Sequence, residues 1–192
     1  MNRTQSIWYT ARACYGPLHQ EAYGWEEYVR WSKLTHLSEV VSLDGMLNRL
    51  VFEPDFKAEY DWQHTVTEGV LIRPFFHSLD YVLEKTKDLE TFNLLAVVKN
   101  PSETLQDLST PFDFLGYDLI EVDGQISALT NCGGFDKSFL PRDLNEFGLI
   151  PTWKRAKKVQ EDLRVDYPDE LHADCDLFEV WRHKTMGRKG GN

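Results

Sequence analysis

The chain has 192 residues, enough for one domain or at most two small ones. With 42% apolar residues, 13% aromatics and six tryptophans it can furnish a real core, which excludes wholesale disorder. Its 31 acids against 21 bases leave a formal charge of −10. That excludes a general nucleic-acid binder, which needs a basic surface to neutralise phosphates, and it suits a basic partner, because complementary fields speed and orient association.

Taken in chain order, residues 1–24 carry scattered aromatics (Trp8, Tyr9, Tyr15, Tyr23) and a turn signal at Gly16-Pro17, with no period that assigns an element. WEEYVRWSKL, from Trp25, has Trp25, Tyr28, Val29 and Trp31 or Ser32 near helical spacing. In the following segment Leu43, Met46, Leu47 and Leu50 recur at i, i+3, i+4 and i+7, which predicts a helix. The polar, acidic run from Pro54 to Asp61 is expected as a surface loop, and TVTEGVLIRP as a strand stopped by Pro74. HSLDYVLEKTKD predicts a helix capped by Ser78, with Leu79, Val82 and Leu83 as its apolar stripe and lysines in its last turn.

The second half is more legible. FNLLAVVKNP predicts a strand over about 92–99: Leu94 to Val98 is apolar without alternation, as expected of a central strand covered on both faces, and Asn100-Pro101 ends it. FDFLGYDLIEV and QISALT flank Asp123-Gly124, which predicts a hairpin over about 112–130 with Leu119 opposite Ala128 and Glu121 opposite Ile126. A helix opens at Pro151-Thr152 and runs to about Val165. Trp153, Ala156, Val159 and Leu163 face inward, Lys154, Arg155, Lys157 and Lys158 outward, and Tyr167-Pro168 closes it. DCDLFEVWRH predicts a strand at about 174–182 with Cys175, Leu177 and Trp181 in one phase and Phe178 and Val180 in the other. The tail, 184–192, is basic and Gly-rich, the composition of a frayed end. Without repeats or a linker, the pattern predicts a single α+β domain over 1–183. Its antiparallel or mixed sheet of about four to six strands is packed by several helices.

Three cysteines, Cys14, Cys132 and Cys175, form no framework. The first ten residues are too polar for a secretory leader, and no run approaches the ~20 apolar residues of a membrane span, so reduced thiols in a cytoplasm are expected. Cys132, before Gly133-Gly134, has two readings. As a nucleophile it needs a base, and His172, His77 and His36 are candidates that no local spacing ties to it. As a buried thiol it ends a strand where the glycines permit a sharp exit. His172-x-x-Cys175 has a chelate spacing to which Cys132 adds a third ligand, but structural zinc takes four. No metal and no cofactor are expected.

Glu161, Asp162, Asp166, Asp169, Glu170, Asp174, Asp176 and Glu179 put eight acids into 19 residues, with Arg164 alone among Lys and Arg. They lack the Gly-punctuated order of a calcium loop. A buried run of carboxylates would cost too much, so Asp166, Asp169 and Glu170 are expected on an exposed connection. Asp174 and Asp176 would extend that face onto the rim of the sheet. Phosphate-cradling, nucleophile-elbow and zincin signatures are absent from the sequence. The expected function is therefore an acidic interaction protein of a bacterial or phage cytoplasm, in concrete form an immunity- or inhibitor-type protein that neutralises a basic toxin or nuclease. Neither nucleic acid nor membrane is expected as a partner. The alternative is a cysteine-dependent hydrolase or transferase using Cys132 with His172 as base.

Overall fold

The computed structural model describes residues 6–19, 24–68, 71–103, 108, 110–122, 126–130 and 141–185. Six antiparallel strands form one sheet: β1 (Ile7–Arg12), β2 (Thr65–Glu68), β3 (Leu71–Phe76), β4 (Asn93–Lys99), β5 (Phe112–Glu121) and β6 (Cys175–His183), in the order β2-β3-β1-β4-β6-β5. Four helices, α1 (Trp25–Ser32), α2 (Glu59–His64), α3 (Leu79–Lys85) and α4 (Trp153–Asp166), complete the α+β architecture that the pattern predicts.

β4 is central, paired with β1 from Ile7↔Val98 to Arg12↔Asn93 and with β6 from Leu95↔Arg182 to Lys99↔Phe178. Residues 93–98 are buried, which explains the unbroken apolar run from Leu94 to Val98. Facing residues of an antiparallel pair share a side of the sheet. Ala11, Leu94, Leu177 and Leu119 therefore lie on one side, where α3 and α4 pack through Val82 and through Ala156, Val159 and Leu163. The other side carries Leu95, Val97, Phe178 and Val180 and is covered by Val41, Leu43, Phe75 and Leu149. Among the described residues no helix is long and apolar enough to cross a membrane.

Four readings of the sequence are corrected. β1 lies in the stretch to which no element was assigned: at the sheet centre both its faces are covered, so it shows no alternation. The 43–50 stretch is a run of turns, not a helix. Asp44 Oδ1 accepts from the amides of Met46 (2.7 Å) and Leu47 (3.1 Å), and the Asn48 side chain accepts from Ser42 N and donates to Ala13 O and Val40 O. These side chains compete with a helical ladder for the backbone. Its apolar period was fortuitous, for Leu43 is buried while Met46 is exposed. The acidic run expected as a loop runs into α2, where Asp61 is buried, accepting from Asp55 N and pairing with Lys85 at 2.8 Å. Finally, Pro74 lies inside β3 instead of ending a single strand. The β2–β3 register shifts between Thr65↔Phe76 and Thr67↔Ile72, and such a bulge tolerates a residue with no amide hydrogen.

The remaining elements follow the pattern. Ser78 caps α3 by accepting from Tyr81 N at 3.3 Å. Ser78→Ala is expected to cost about 1 kcal/mol, read as a lower urea midpoint at constant slope. β5 pairs with β6 from Phe112↔His183 to Glu121↔Cys175. Beyond β5 the chain returns in the predicted register, with Ile120 opposite Ser127, Glu121 N donating to Ile126 O (3.0 Å) and Ala128 N to Leu119 O (2.8 Å). This return limb is a single bridge followed by a turn at 128–130, shorter than the strand expected, and the Asp123-Gly124 turn lies outside the described residues. Tyr117 and Ile150 exchange two further backbone hydrogen bonds, of 2.8 and 3.0 Å, along the same outer edge.

Candidate functional site: an acidic ledge

α4 stops at Asp166 because Tyr167-Pro168 cannot continue it, and Tyr167 N closes the last turn onto Leu163 O at 3.0 Å. The chain then turns through Glu170 N to Tyr167 O (3.0 Å) and a 3-10 turn at Leu171–Ala173 before entering β6. Glu161, Asp166, Asp169, Glu170 and Asp174 are exposed on this ledge. Two aliphatic side chains share it, Val165 at 75% and Leu171 at 73% exposure. Among the described residues the ledge carboxylates meet a cation only where Arg164 reaches Asp174 at 4.0 Å.

The other acids of the segment are engaged elsewhere. Asp162 pairs with Lys158. Asp176 is half-buried, 2.8 Å from Lys99 and accepting from Asn100 Nδ2 at 2.9 Å, so it stands behind the ledge and not on its rim. Glu179 is fully buried and accepts from Trp181 Nε1 at 2.5 Å, which corrects its inclusion in an exposed acidic face. It shares the phase of Cys175, Leu177 and Trp181, so strand alternation alone marked it as a core position. Of the cations at the start of α4, Arg155 pairs with Asp143 at 2.8 Å and Lys154 with Glu103 at 3.4 Å, while Lys157 donates to Gln160 Oε1 at 2.6 Å.

The ledge is fastened to the sheet from below. His172, 7% exposed, places Nδ1 2.6 Å from Oε1 of Glu121 at the end of β5. Cys175 Sγ donates to His172 O at 3.1 Å, Gln160 Nε2 to Cys175 O at 2.5 Å, and Val122 N to Asp174 O at 3.0 Å. Burial, with the charge of Asp44 adding to it, raises the Glu121 carboxyl above its usual range, and burial lowers the His172 imidazole. Burial also pushes the Cys175 thiol far up, so Cys175 is the inert core thiol that its strand phase predicts. Its sulfur meets the carbonyl of His172, not the ring, so the His172-x-x-Cys175 spacing forms no chelate. Cys132 and Gly133-Gly134 lie outside the described residues, and the base proposed for that thiol, His172, is turned into the core against Glu121. Among the described residues no three metal-ligating side chains come together.

On the opposite side of the sheet lies a buried polar cluster that reading the sequence missed. Asp118 accepts from Ser42 Oγ (2.7 Å), Leu43 N (2.9 Å), Leu119 N (2.9 Å) and Ser127 Oγ (2.5 Å). Asp44 accepts, besides Met46 and Leu47, from Ser127 N (3.0 Å) and Thr130 Oγ1 (2.8 Å). Arg12, 1% exposed, donates to Thr10 Oγ1 and Asn48 O and lies over the Phe75 ring. Burial lowers its pKa to about 10 against the opposing pull of Asp44 and Asp118. An aspartate between Tyr117 and Leu119 in the middle of a strand was the available signal. Two grooves lie away from the ledge, flanking residues 50–54: one of about 700 Å3 between Leu18, Phe52 and Leu89, one of about 460 Å3 between Phe52, Phe56 and Pro74. Comparison with protein-family models, curated proteins and solved structures finds no match.

Proposed function

We propose that the protein is an acidic cytoplasmic interaction module of the immunity or inhibitor type, docking a basic protein partner on the ledge of Asp166, Asp169, Glu170 and Asp174. The observation that carries this reading is the ledge itself: exposed carboxylates around the exposed side chains of Val165 and Leu171, on a segment held by buried contacts. Charged rims that enclose apolar anchors are the usual anatomy of a protein interface. Exposed aliphatics add the short-range attraction that a solubility surface does not need, while the surplus of acids over bases supplies the long-range field.

A pull-down from the native host at low and high salt tests the reading, with recovery of one basic protein that is lost at high salt as the expected result. Against that protein, Asp166→Lys with Asp169→Lys and Glu170→Lys is expected to slow association about tenfold or more at low salt and to flatten its salt dependence. The fold should survive, since all three residues are exposed. Association unchanged by the triple reversal would reduce the ledge to a solubility surface.

A further inference from the structure

We propose that the Glu121–His172 contact is a pH-sensitive clasp that holds the ledge on the sheet and releases it when a second proton enters the pair. The two side chains are each more than nine-tenths buried and stand 2.6 Å apart, so together they can hold one proton with no net charge. A second proton makes an imidazolium beside a neutral carboxyl in a site nearly closed to water, which is costly unless the charge moves out.

The neighbours determine the direction of release. On the core side the pair faces the Cys175 thiol, with Asp44, Asp118 and Arg12 beyond it. On the outer side Glu170 and Asp174 flank His172, with Arg164 of α4 reaching Asp174. Asp118 is already saturated by four donors, so a new cation finds its nearest available carboxylates outside, on the ledge. Moving out breaks the short bonds of the turn, Cys175 Sγ to His172 O and Val122 N to Asp174 O, and uncovers Cys175.

The sign follows from the shifts. The lowered imidazole contributes stability that is present above its ordinary value near 6.5 and is lost as pH falls through its folded-state value. The raised carboxyl works oppositely: its contribution is present below 4.5 and is lost as pH rises through its own folded-state value. The two contributions offset each other between about 4.5 and 6.5, where the released pair, like the closed one, holds one proton, and opening draws a further proton only below about 4.5.

Cys175 reports the opening without any partner. In a Cys14→Ser, Cys132→Ser chain, its reaction with 4,4′-dithiodipyridine is measured from about pH 7.5 to about pH 3 and divided by the rate in urea at each pH, which removes the intrinsic thiol dependence. The rate is expected to stay level between about pH 6.5 and pH 4.5, where the closed and the released pair each hold one proton, and to rise about tenfold per pH unit below about 4.5, where release draws the second proton. His172→Gln is expected to abolish the rise, and Glu121→Gln to bring its onset up to about pH 6.5, because the released imidazole then takes a proton that the closed site lacks. An imidazole titration of His172 followed by NMR in the unaltered chain, with the 171–174 amides shifting at the same midpoint, gives the same information should a variant fail to fold. A flat Cys175 profile, a rise that persists in His172→Gln, or 171–174 amides that ignore the His172 midpoint would each overturn the clasp. Its consequence for binding rests on the docking reading above: affinity for a lysine-rich peptide should fall with the same step. A peptide that fails to bind at any pH, with the Cys175 step intact, refutes the docking reading alone. Pairing without a step in either readout refutes the clasp alone.

Discussion

Replacing Asp118 by alanine is expected to lower the free energy of unfolding by about 4 kcal/mol, read as a drop in urea midpoint with the slope preserved. One carboxylate there serves four donors from three chain segments, the 42–43 turn, β5 and the return limb at Ser127. The two serine hydroxyls can rotate toward other acceptors, but the amides of Leu43 and Leu119 cannot, and a buried donor without an acceptor costs about 1–3 kcal/mol. Asp118→Asn keeps one acceptor oxygen while turning an NH2 toward donors, and about half the loss is expected. A pH series separates charge from hydrogen bonding. Burial raises the Asp118 carboxyl above its ordinary value of 3.8, so the contribution from its proton is complete below that value and is lost as pH rises through the folded-state value. The wild type should therefore gain on the alanine variant in acid. A loss under about 1 kcal/mol for alanine would mean that the cluster fills space without organising the segments it touches.

Gly116→Ala is expected to be nearly as damaging, at about 3 kcal/mol or more. Gly116 sits at the register shift of β5 with φ of +148°, where an L side chain is strained. A β-carbon there would lie 2.8 Å from Leu149 Cβ and 3.0 Å from Ile150 O, and the second of these is backbone that cannot rotate away. The segment around Ile150 would have to lift off β5, so the Tyr117 and Ile150 amides should lose hydrogen-exchange protection before the rest of the sheet. Gly148→Ala is the control. Its φ of +75° is also left-handed, but the nearest atom is Leu37 Cδ2 at 3.9 Å, so only about 1 kcal/mol of strain is expected. Equal losses at the two sites would show that φ, not contact with 149–150, sets the cost.

What could be read from the sequence was local. The unbroken run of β4, the cap and stripe of α3, the inward face of α4 and the Asp-Gly register of the hairpin limb are set by neighbours within a few residues, and each is found where the pattern put it. β1 was illegible because a strand covered on both faces needs no alternation, and its Arg12 reads as surface until Asp44 and Asp118 are brought beside it from far along the chain. Leu43 to Leu50 misled because apolar spacing counts side chains, while Asp44 and Asn48 decided the backbone. At the ledge, exposure of Asp166, Asp169, Glu170 and Asp174 followed from Tyr167-Pro168. The partners that removed Asp176 and buried His172 did not, since Lys99 and Glu121 reach them only through the fold, whereas the alternation of β6 already marked Glu179 for the core and Trp181, two residues on, supplies its donor.

The covering of β5 has a consequence for how copies of this chain can associate. A sheet grows by adding a strand to an open row of amides and carbonyls. At the β5 end the amides of Tyr117 and Glu121 already donate along the outer edge to Ile150 and Ile126, and the Leu119 carbonyl accepts from Ala128 of the return limb. At the other end β2 is four residues long and, among the described residues, pairs with β3 alone. Among the described residues, strand addition between molecules therefore finds its open edge at β2. A second copy joined there by its own β2 makes one continuous sheet with a covered β5 stretch at each outer end, an isologous union that favours a closed pair over a growing fibre.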